Sequence, residues 1–364
     1  MIGLTSFQGQ EMDAPLYPFK PIYSLKALSL TLGEPAELLE SLAKRSSNLY
    51  RHVPQTKKDG TPRDTYDAYE PLKAIQRKIV DRLLARVRFP GYLHGGIKDS
   101  VKRRSIYSNA HIHGRAQCVV LQDIKDFFPS IKTQHVQQLF VGLFGFSEPV
   151  ASILALLTTR HGVVPQGASS SGYIANLVFW DIEPALVAKL DAQGFNYSRF
   201  ADDITITSIK LLDPSALTSI VSAVTNMLAQ KGCHQKRSKL HIRKRGQTVL
   251  SKNGFEPLTV TGLTIFNAVP GIPKAERKAI RAVVKQLEDH AMQGTTWTEL
   301  EPLVRRAMGR VGRLIACSHP DGERLKQRLH ALKARSQVPL LDRYTAAMQD
   351  AAITGQLPGK CESN

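Results

Sequence analysis

Three aspartates define the chemistry open to this sequence. Asp202 and Asp203 stand side by side in Tyr197-Ser198-Arg199-Phe200-Ala201-Asp202-Asp203-Ile204-Thr205-Ile206-Thr207, two short apolar runs that meet at a pair of carboxylates. Ile204 and Ile206 alternate with Thr205 and Thr207, the period of a half-buried strand, which sets the acidic pair at the bend of a hairpin. Taken alone, a polar turn accounts for two Asp equally well, because Asp is common in turns. Adjacent carboxylates otherwise repel, and they become favourable where divalent cations supply positive charge; hard oxygen ligands suit Mg²⁺. Asp123 changes the balance. It closes Cys118-Val119-Val120-Leu121-Gln122-Asp123-Ile124, an apolar run rich in β-branched residues that reads as a buried central strand with a carboxylate at its C-terminal end. In-line phosphoryl transfer by two metal ions about 3.5–4 Å apart draws acidic ligands from separate elements, since one carboxylate must bridge both ions. Asp123 with Asp202 and Asp203 meets that need.

With the intervening segments, these residues resemble the palm of reverse transcriptases, and within that family the bacterial retron type. Asp123 through Ile131 is similar to the first palm motif, and Phe200-Ala201-Asp202-Asp203 to the aromatic-Ala-Asp-Asp box. Between them, Val164-Pro165-Gln166-Gly167-Ala168-Ser169-Ser170-Ser171 resembles the family's Pro-Gln-Gly loop, which leads into a helix expected over Ser169–Glu183 and ended by Pro184. Phe200 stands where Tyr is usual, and Gly172 where retron sequences commonly have Pro; neither change removes a metal ligand. The resemblance covers roughly residues 50–335. It implies an α+β right-hand polymerase fold: an N-terminal extension over 1–50, fingers over 51–117, a palm over 118–270 built on an antiparallel sheet with helices on one side and lending 130–165 to the fingers, a helical thumb over 271–345 and a loose tail over 346–364. It also implies RNA-directed DNA synthesis with two Mg²⁺ ions at Asp123, Ile124, Asp202 and Asp203.

The elements around these carboxylates carry further candidates. Lys57-Lys58-Asp59-Gly60-Thr61-Pro62-Arg63 reads as a charged hairpin tip; by resemblance Arg63, with Lys57 or Lys58, contacts the incoming triphosphate. Helical stripes of Leu38, Leu39 and Leu42, and of Leu72, Ile75, Ile79 and Leu83, pack the fingers. Asn109, Ala110 and His113 match the Asn-Ala-x-x-His element of retron enzymes, although a His in such a loop could equally satisfy backbone groups. Phe128 stands where the family places an aromatic gate against ribonucleotides; Phe127 and Phe128 also read as core, and one of them must be. Gln166 matches the family's nucleotide-contacting Gln. Val260, Thr261 and Gly262 match the retron Val-Thr-Gly signature, and the resemblance implies that these three, with Asn109 and His113, contact the RNA.

Positive charge dominates. Lys and Arg outnumber Asp and Glu by 49 to 31, a formal charge of +18 and a pI near 9.8, which points to a polyanionic partner, nucleic acid before membrane. The segment from Lys231 to Arg245 holds seven cations and no acid, and Arg243, Lys244 and Arg245 at its end are candidate phosphate contacts; either Lys236 or Lys239 matches a Lys that family enzymes keep. Leu217–Leu228 reads as an amphipathic helix over the sheet. Three thumb helices follow at Lys274–His290, Glu301–Cys317 and Glu323–Lys333, and Arg306, Arg310 and Arg313 recur on the second as an RNA-facing stripe. Four scattered cysteines suggest neither zinc site nor disulfide framework, which suits a reducing cytoplasm. No secretory signal and no long apolar span is read. The resemblance further implies a cognate structured noncoding RNA, deoxynucleoside triphosphates (dNTPs), a branched RNA–DNA product primed from an RNA 2′-hydroxyl, and an accessory effector protein in phage defence. The alternatives are another prokaryotic reverse transcriptase, of the group II intron or defence-associated type, and a catalytically silent RNA-binding scaffold.

Overall fold

The computed structural model describes residues 13–57, 60–99, 103–246, 250–251, 254–255 and 258–337. Lys58, Cys361 and the tail expected from 346 lie outside them. Two compact units divide the chain after Thr261.

The first unit is built on a five-stranded sheet: β1 (Leu93–His94), β2 (Cys118–Asp123), β3 (Phe195–Phe200), β4 (Asp203–Ser208) and β5 (His241–Lys244), in spatial order β1-β3-β4-β2-β5. Neighbours are antiparallel except β1 and β3, which run parallel. Strand β2 is paired on both edges and buries Val119, Val120, Gln122 and Asp123, as its unbroken apolar run predicts. Asp123 stands opposite Asp203, and Ala201-Asp202 is the two-residue loop between β3 and β4. Because side chains alternate across a sheet, Asp123, Asp203, Thr205, Thr207 and Ser198 share one face, and Gln122, Ile204, Ile206, Tyr197 and Arg199 share the other. Helices Ser171–Leu177 and Glu183–Ala192 bond to the second face through Tyr197 and Arg199. The short helix Ile106–Ile112 meets the first face at the end away from the carboxylates, through His113.

Two helices therefore replace the single one expected over Ser169–Glu183. Pro184 does not stop a helix but lies in the first turn of the second. Proline has no N–H, and first-turn residues need none, so the same residue that breaks a helix interior starts a new helix well.

The helices Leu25–Leu32, Ala36–Arg45, Leu72–Arg82, Thr133–Gly142 and Glu148–Thr158 bury the expected leucines and isoleucines, among them Leu39, Leu42, Leu72, Ile75 and Ile79. Beside them Gln55–Thr56 pairs with Pro62–Arg63 in the charged hairpin. Among the described residues the second unit has three helices, Lys274–Met292, Trp297–Ala316 and Asp321–Gln337, joined by a core that includes Ile280, Val284, Leu300, Val311, Leu314, Leu325 and Leu329. Its middle helix starts earlier than the sequence suggested, because Thr296 and Glu299 form a capping box ahead of it. Cys118, Cys233 and Cys317 are buried free thiols. No helix among the described residues is long and apolar enough to cross a membrane.

Candidate active site

Asp123 is 4% exposed. The ammonium of Lys239 donates to its carboxylate, and the Lys236 backbone N–H donates to its carbonyl at 2.8 Å. Asp202 is half-buried and Asp203 exposed at the hairpin tip. Although Asp203 keeps an edge open to solvent, the protein packed around its carboxyl desolvates it, and this, followed by the neighbouring charges of Asp202 and Asp123, pushes it up to about 6. Burial likewise raises Asp202, with the Asp123 charge adding to it and Lys239 and Arg63 opposing. Lys239 is itself raised by its bond to Asp123. Of the two lysines, Lys239 reaches the Asp123 carboxylate with its side chain, while Lys236 contributes its backbone.

Among the described residues no three His, Cys, Asp or Glu side chains enclose a cation by themselves. The donor set nonetheless fits Mg²⁺ in an open site, since that ion is held through one or two carboxylates, water and substrate phosphates rather than by an all-protein cage. Desolvation comes first in the upward push on Asp203; the charges of Asp202 and Asp123 add to it, and that second contribution is the one a cation would offset.

The tip itself is tightly fixed. Ala201 has φ 54°, the left-handed region that non-glycine residues avoid at about 1 kcal/mol or more. Its N–H donates to the His94 carbonyl at 3.0 Å, its carbonyl accepts from Arg199 at 3.2 Å, and the Asp202 carbonyl accepts from Ile124 N–H at 3.0 Å. Gly95 makes the first of these contacts possible. It has φ 84°, and a Cβ there would lie 3.0 Å from Phe200 Cδ1 and 3.1 Å from the Ala201 nitrogen. Sequence reasoning passed over His94, Gly95 and Arg199; the available signals were a Gly-Gly pair and a lone Arg inside an apolar strand.

The family described as Reverse transcriptase (RNA-dependent DNA polymerase) matches residues 56–264. The chain is 32% identical over 334 residues to the retron Se72 reverse transcriptase of Salmonella heidelberg, covering 92% of this chain and 84% of that protein. The chain belongs to the retron reverse transcriptases. The retron Ec48 reverse transcriptase of Escherichia coli is 29% identical over 92% of this chain and 80% of its own. Among solved structures, telomerase from Candida albicans in complex with a fragment of telomeric RNA aligns over 85% of this chain and 65% of its own at a TM-score of 0.37 and 11% identity, a score at which the alignment adds nothing to the assignment. As a member of this family the protein is an RNA-directed DNA polymerase on the right-hand fold.

In this reverse transcriptase Arg63 is exposed on the hairpin and acts electrostatically on Asp202. Lys57 is exposed near the tip, and no described contact ties it to the carboxylates. The Gln166 carbonyl accepts from Tyr66 N–H at 2.7 Å, which joins the Pro-Gln-Gly loop to the hairpin's end. Phe127 is core, stacked on Phe179 with ring centroids 5.9 Å apart, and leaves Phe128 as the half-buried aromatic of the pair.

The retron elements lie elsewhere than expected. Asn109 and His113 are both fully buried, so in this structure neither offers a surface to RNA. His113 bridges two strands, Nδ1 to Thr207 Oγ1 at 2.8 Å and Nε2 to Ser198 Oγ at 2.7 Å. Burial pushes its imidazole down to about 3. Both polar atoms of the Asn109 amide are buried without a hydrogen-bond partner. Val260 is buried, and the Thr261 hydroxyl donates to the Ile106 carbonyl at 2.9 Å, so the Val-Thr-Gly signature touches the helix that carries Asn109. Thr261 and Gly262 both have positive φ, 48° and 79°.

The basic run is likewise not one surface. Lys231 pairs with Asp181 at 2.6 Å, Lys239 pairs with Asp123, and Lys244 reaches the Leu212 carbonyl at 2.9 Å. Strand alternation sets Arg243 on the face of Asp123 and Asp203 and Lys244 on the opposite one, so the three cations at the end of the run are not equivalent. The Arg245 N–H extends the pairing to the Gln117 carbonyl. In the second unit Arg306 and Arg310 are exposed, whereas Arg313 is paired with Glu276.

Proposed function

We propose that this reverse transcriptase copies its own structured noncoding RNA, starting from a 2′-hydroxyl within it, so that the DNA stays joined to the RNA as a branched molecule. We assign it to a cytoplasmic phage-defence system with an accessory effector protein. The observation that carries the catalytic part is the register of β2 against β4, which sets Asp123 opposite Asp203 with Asp202 beside them. Fingers, palm and thumb correspond to the hairpin-bearing helical region, the sheet and the second unit.

Asp123, Asp202 and Asp203, with the backbone of Ile124, would hold two Mg²⁺ ions, which when bound acidify the attacking hydroxyl and stabilise the pyrophosphate leaving group. Both Asp202 and Asp203 must be ionised for this, because hard cations bind through ionised carboxylates. Arg63 steadies the triphosphate by charge, Gln166 and Gly167 line its approach, and Phe128 closes the space a ribose 2′-hydroxyl would need. Arg243, Arg306 and Arg310 supply phosphate contacts, which grip without reading sequence. The buried Asn109 and His113 act through the shape of the face they support.

Nucleic acid that co-purifies with the full chain tests the reading. DNA that stays attached to RNA through denaturation is the expected result. With Asp202→Asn and Asp203→Asn together, synthesis is lost and RNA binding is kept. Extension of DNA on an RNA template by that double variant rules out the assigned site.

A further inference from the structure

Arg199 is a fully buried arginine three residues before the first carboxylate of the hairpin tip. A guanidinium carries five N–H donors in a planar fork, and all five have partners. Nε and Nη2 each donate to the Glu183 carboxylate at 2.7 Å. Nη2 also donates to the Asn176 carbonyl at 2.9 Å, and Nη1 to the carbonyls of Ala175 and Ala201 at 3.2 Å each. Glu183 is completed by the Tyr197 hydroxyl at 2.6 Å. The guanidinium carbon lies 5.9 Å from the centroid of Phe127, in the first palm motif, and 5.3 Å from that of Phe179.

These contacts join three segments through one side chain. Ala175 and Asn176 end the helix that follows the Pro-Gln-Gly loop, Phe127 follows Asp123, and Ala201 is the strained residue of the catalytic tip. Stability alone gives little reason for such a network, because well-packed apolar groups in place of a buried ion pair are commonly neutral or stabilising. A lysine could not reproduce it, since a point charge has no fixed fork.

We propose that Arg199 is a positioning residue of the polymerase reaction, holding the Ala201 carbonyl and thereby the Asp202-Asp203 tip in register with the nucleotide-facing helix; the inference rests on reading that tip as catalytic. Glu183 and Tyr197 neutralise and orient the guanidinium so that the fork meets all three segments.

The test separates position from folding. Glu183→Leu, Tyr197→Phe and Arg199→Met combined replace the network with apolar groups of similar size. The full chain carrying all three changes is compared with wild type by thermal unfolding and by single-turnover incorporation of one dNTP on a preannealed DNA primer and RNA template. The single-turnover rate constant does not depend on the fraction of protein folded; only its amplitude does. We expect a cooperative unfolding transition and a rate constant about a hundredfold lower, the scale of an ångström of misplacement. A wild-type rate constant, whatever the amplitude, overturns the proposal. Should the triple variant not fold, Arg199→Lys decides in the same assay: a lowered rate constant supports positioning and an unchanged one refutes it. Asp203→Asn runs beside them, and its full activity overturns the catalytic reading of the tip together with the inference built on it.

Discussion

Lys239 and Asp123 form an ion pair at the end of β2 in which the lysine side chain is half exposed and the carboxylate only 6% exposed. The cation comes from the one-turn helix Arg237–Lys239, which the Lys236 backbone fastens to the same aspartate. A positive group thus already stands against one of the carboxylates that would hold the metal ions.

Removing that cation frees Asp123. With its lysine half in solvent, the pair is worth about 1 kcal/mol at most, so Lys239→Gln should tighten Mn²⁺ binding to nucleic-acid-free protein by up to about fivefold. Titration followed by electron paramagnetic resonance measures this, and weaker Mn²⁺ binding in the variant would contradict it.

Phe128→Ala removes the aromatic ring proposed to stand beside the sugar, while Phe127 keeps its stack on Phe179. Incorporation of ribonucleotides should rise relative to deoxynucleotides, by about tenfold or more if a steric wall is the mechanism. Competition between a dNTP and its ribonucleotide reads the ratio directly, and an unaltered ratio moves the gate to another residue.

His113 makes stability depend on pH. Its imidazole is held near 3 by burial, against an ordinary 6.5, so between those values the unfolded chain binds a proton that the folded chain does not. Stability therefore falls as pH falls through that window, by about 1.4 kcal/mol per pH unit. His94, lowered to about 4 by burial, adds in the same direction. Urea midpoints at pH 7 and pH 5 should show His113→Asn with about 2 kcal/mol less dependence than wild type; parallel curves would mean that His113 titrates normally.

Gly95→Ala forces a methyl group into the Phe200 ring and the Ala201 nitrogen, at a φ that disfavours any side chain. Destabilisation of about 1–3 kcal/mol and a lower incorporation rate are expected, measured by thermal unfolding and single-turnover extension. Wild-type behaviour in both would show that the tip tolerates displacement.

The carboxylates were legible because each ends a run with a clear period: an unbroken apolar strand before Asp123 and an alternating one after Asp203. The helical stripes of Ala36–Arg45, Leu72–Arg82 and the second unit were legible for the same reason. Pro184 misled because a proline looks the same when it ends one helix and when it opens the next. Lys231, Lys239 and Lys244 looked alike because their partners, Asp181, Asp123 and the Leu212 carbonyl, lie 50, 116 and 32 residues away. No local pattern encodes such pairings. His113 looked like a loop residue, and only the register of β3 against β4 brings Ser198 and Thr207 to its two nitrogens.

The hydrogen bond from Thr261 to Ile106 spans 155 residues of sequence, and it constrains protein engineering. A graft that exchanges the Asn-Ala-x-x-His helix between two retron enzymes, while leaving the Val-Thr-Gly turn behind, sets a foreign helix end against a hydroxyl placed for another carbonyl. Chimeras that transplant both segments keep this seam native on each side, so modular exchange between relatives should follow the contact rather than the order of the chain.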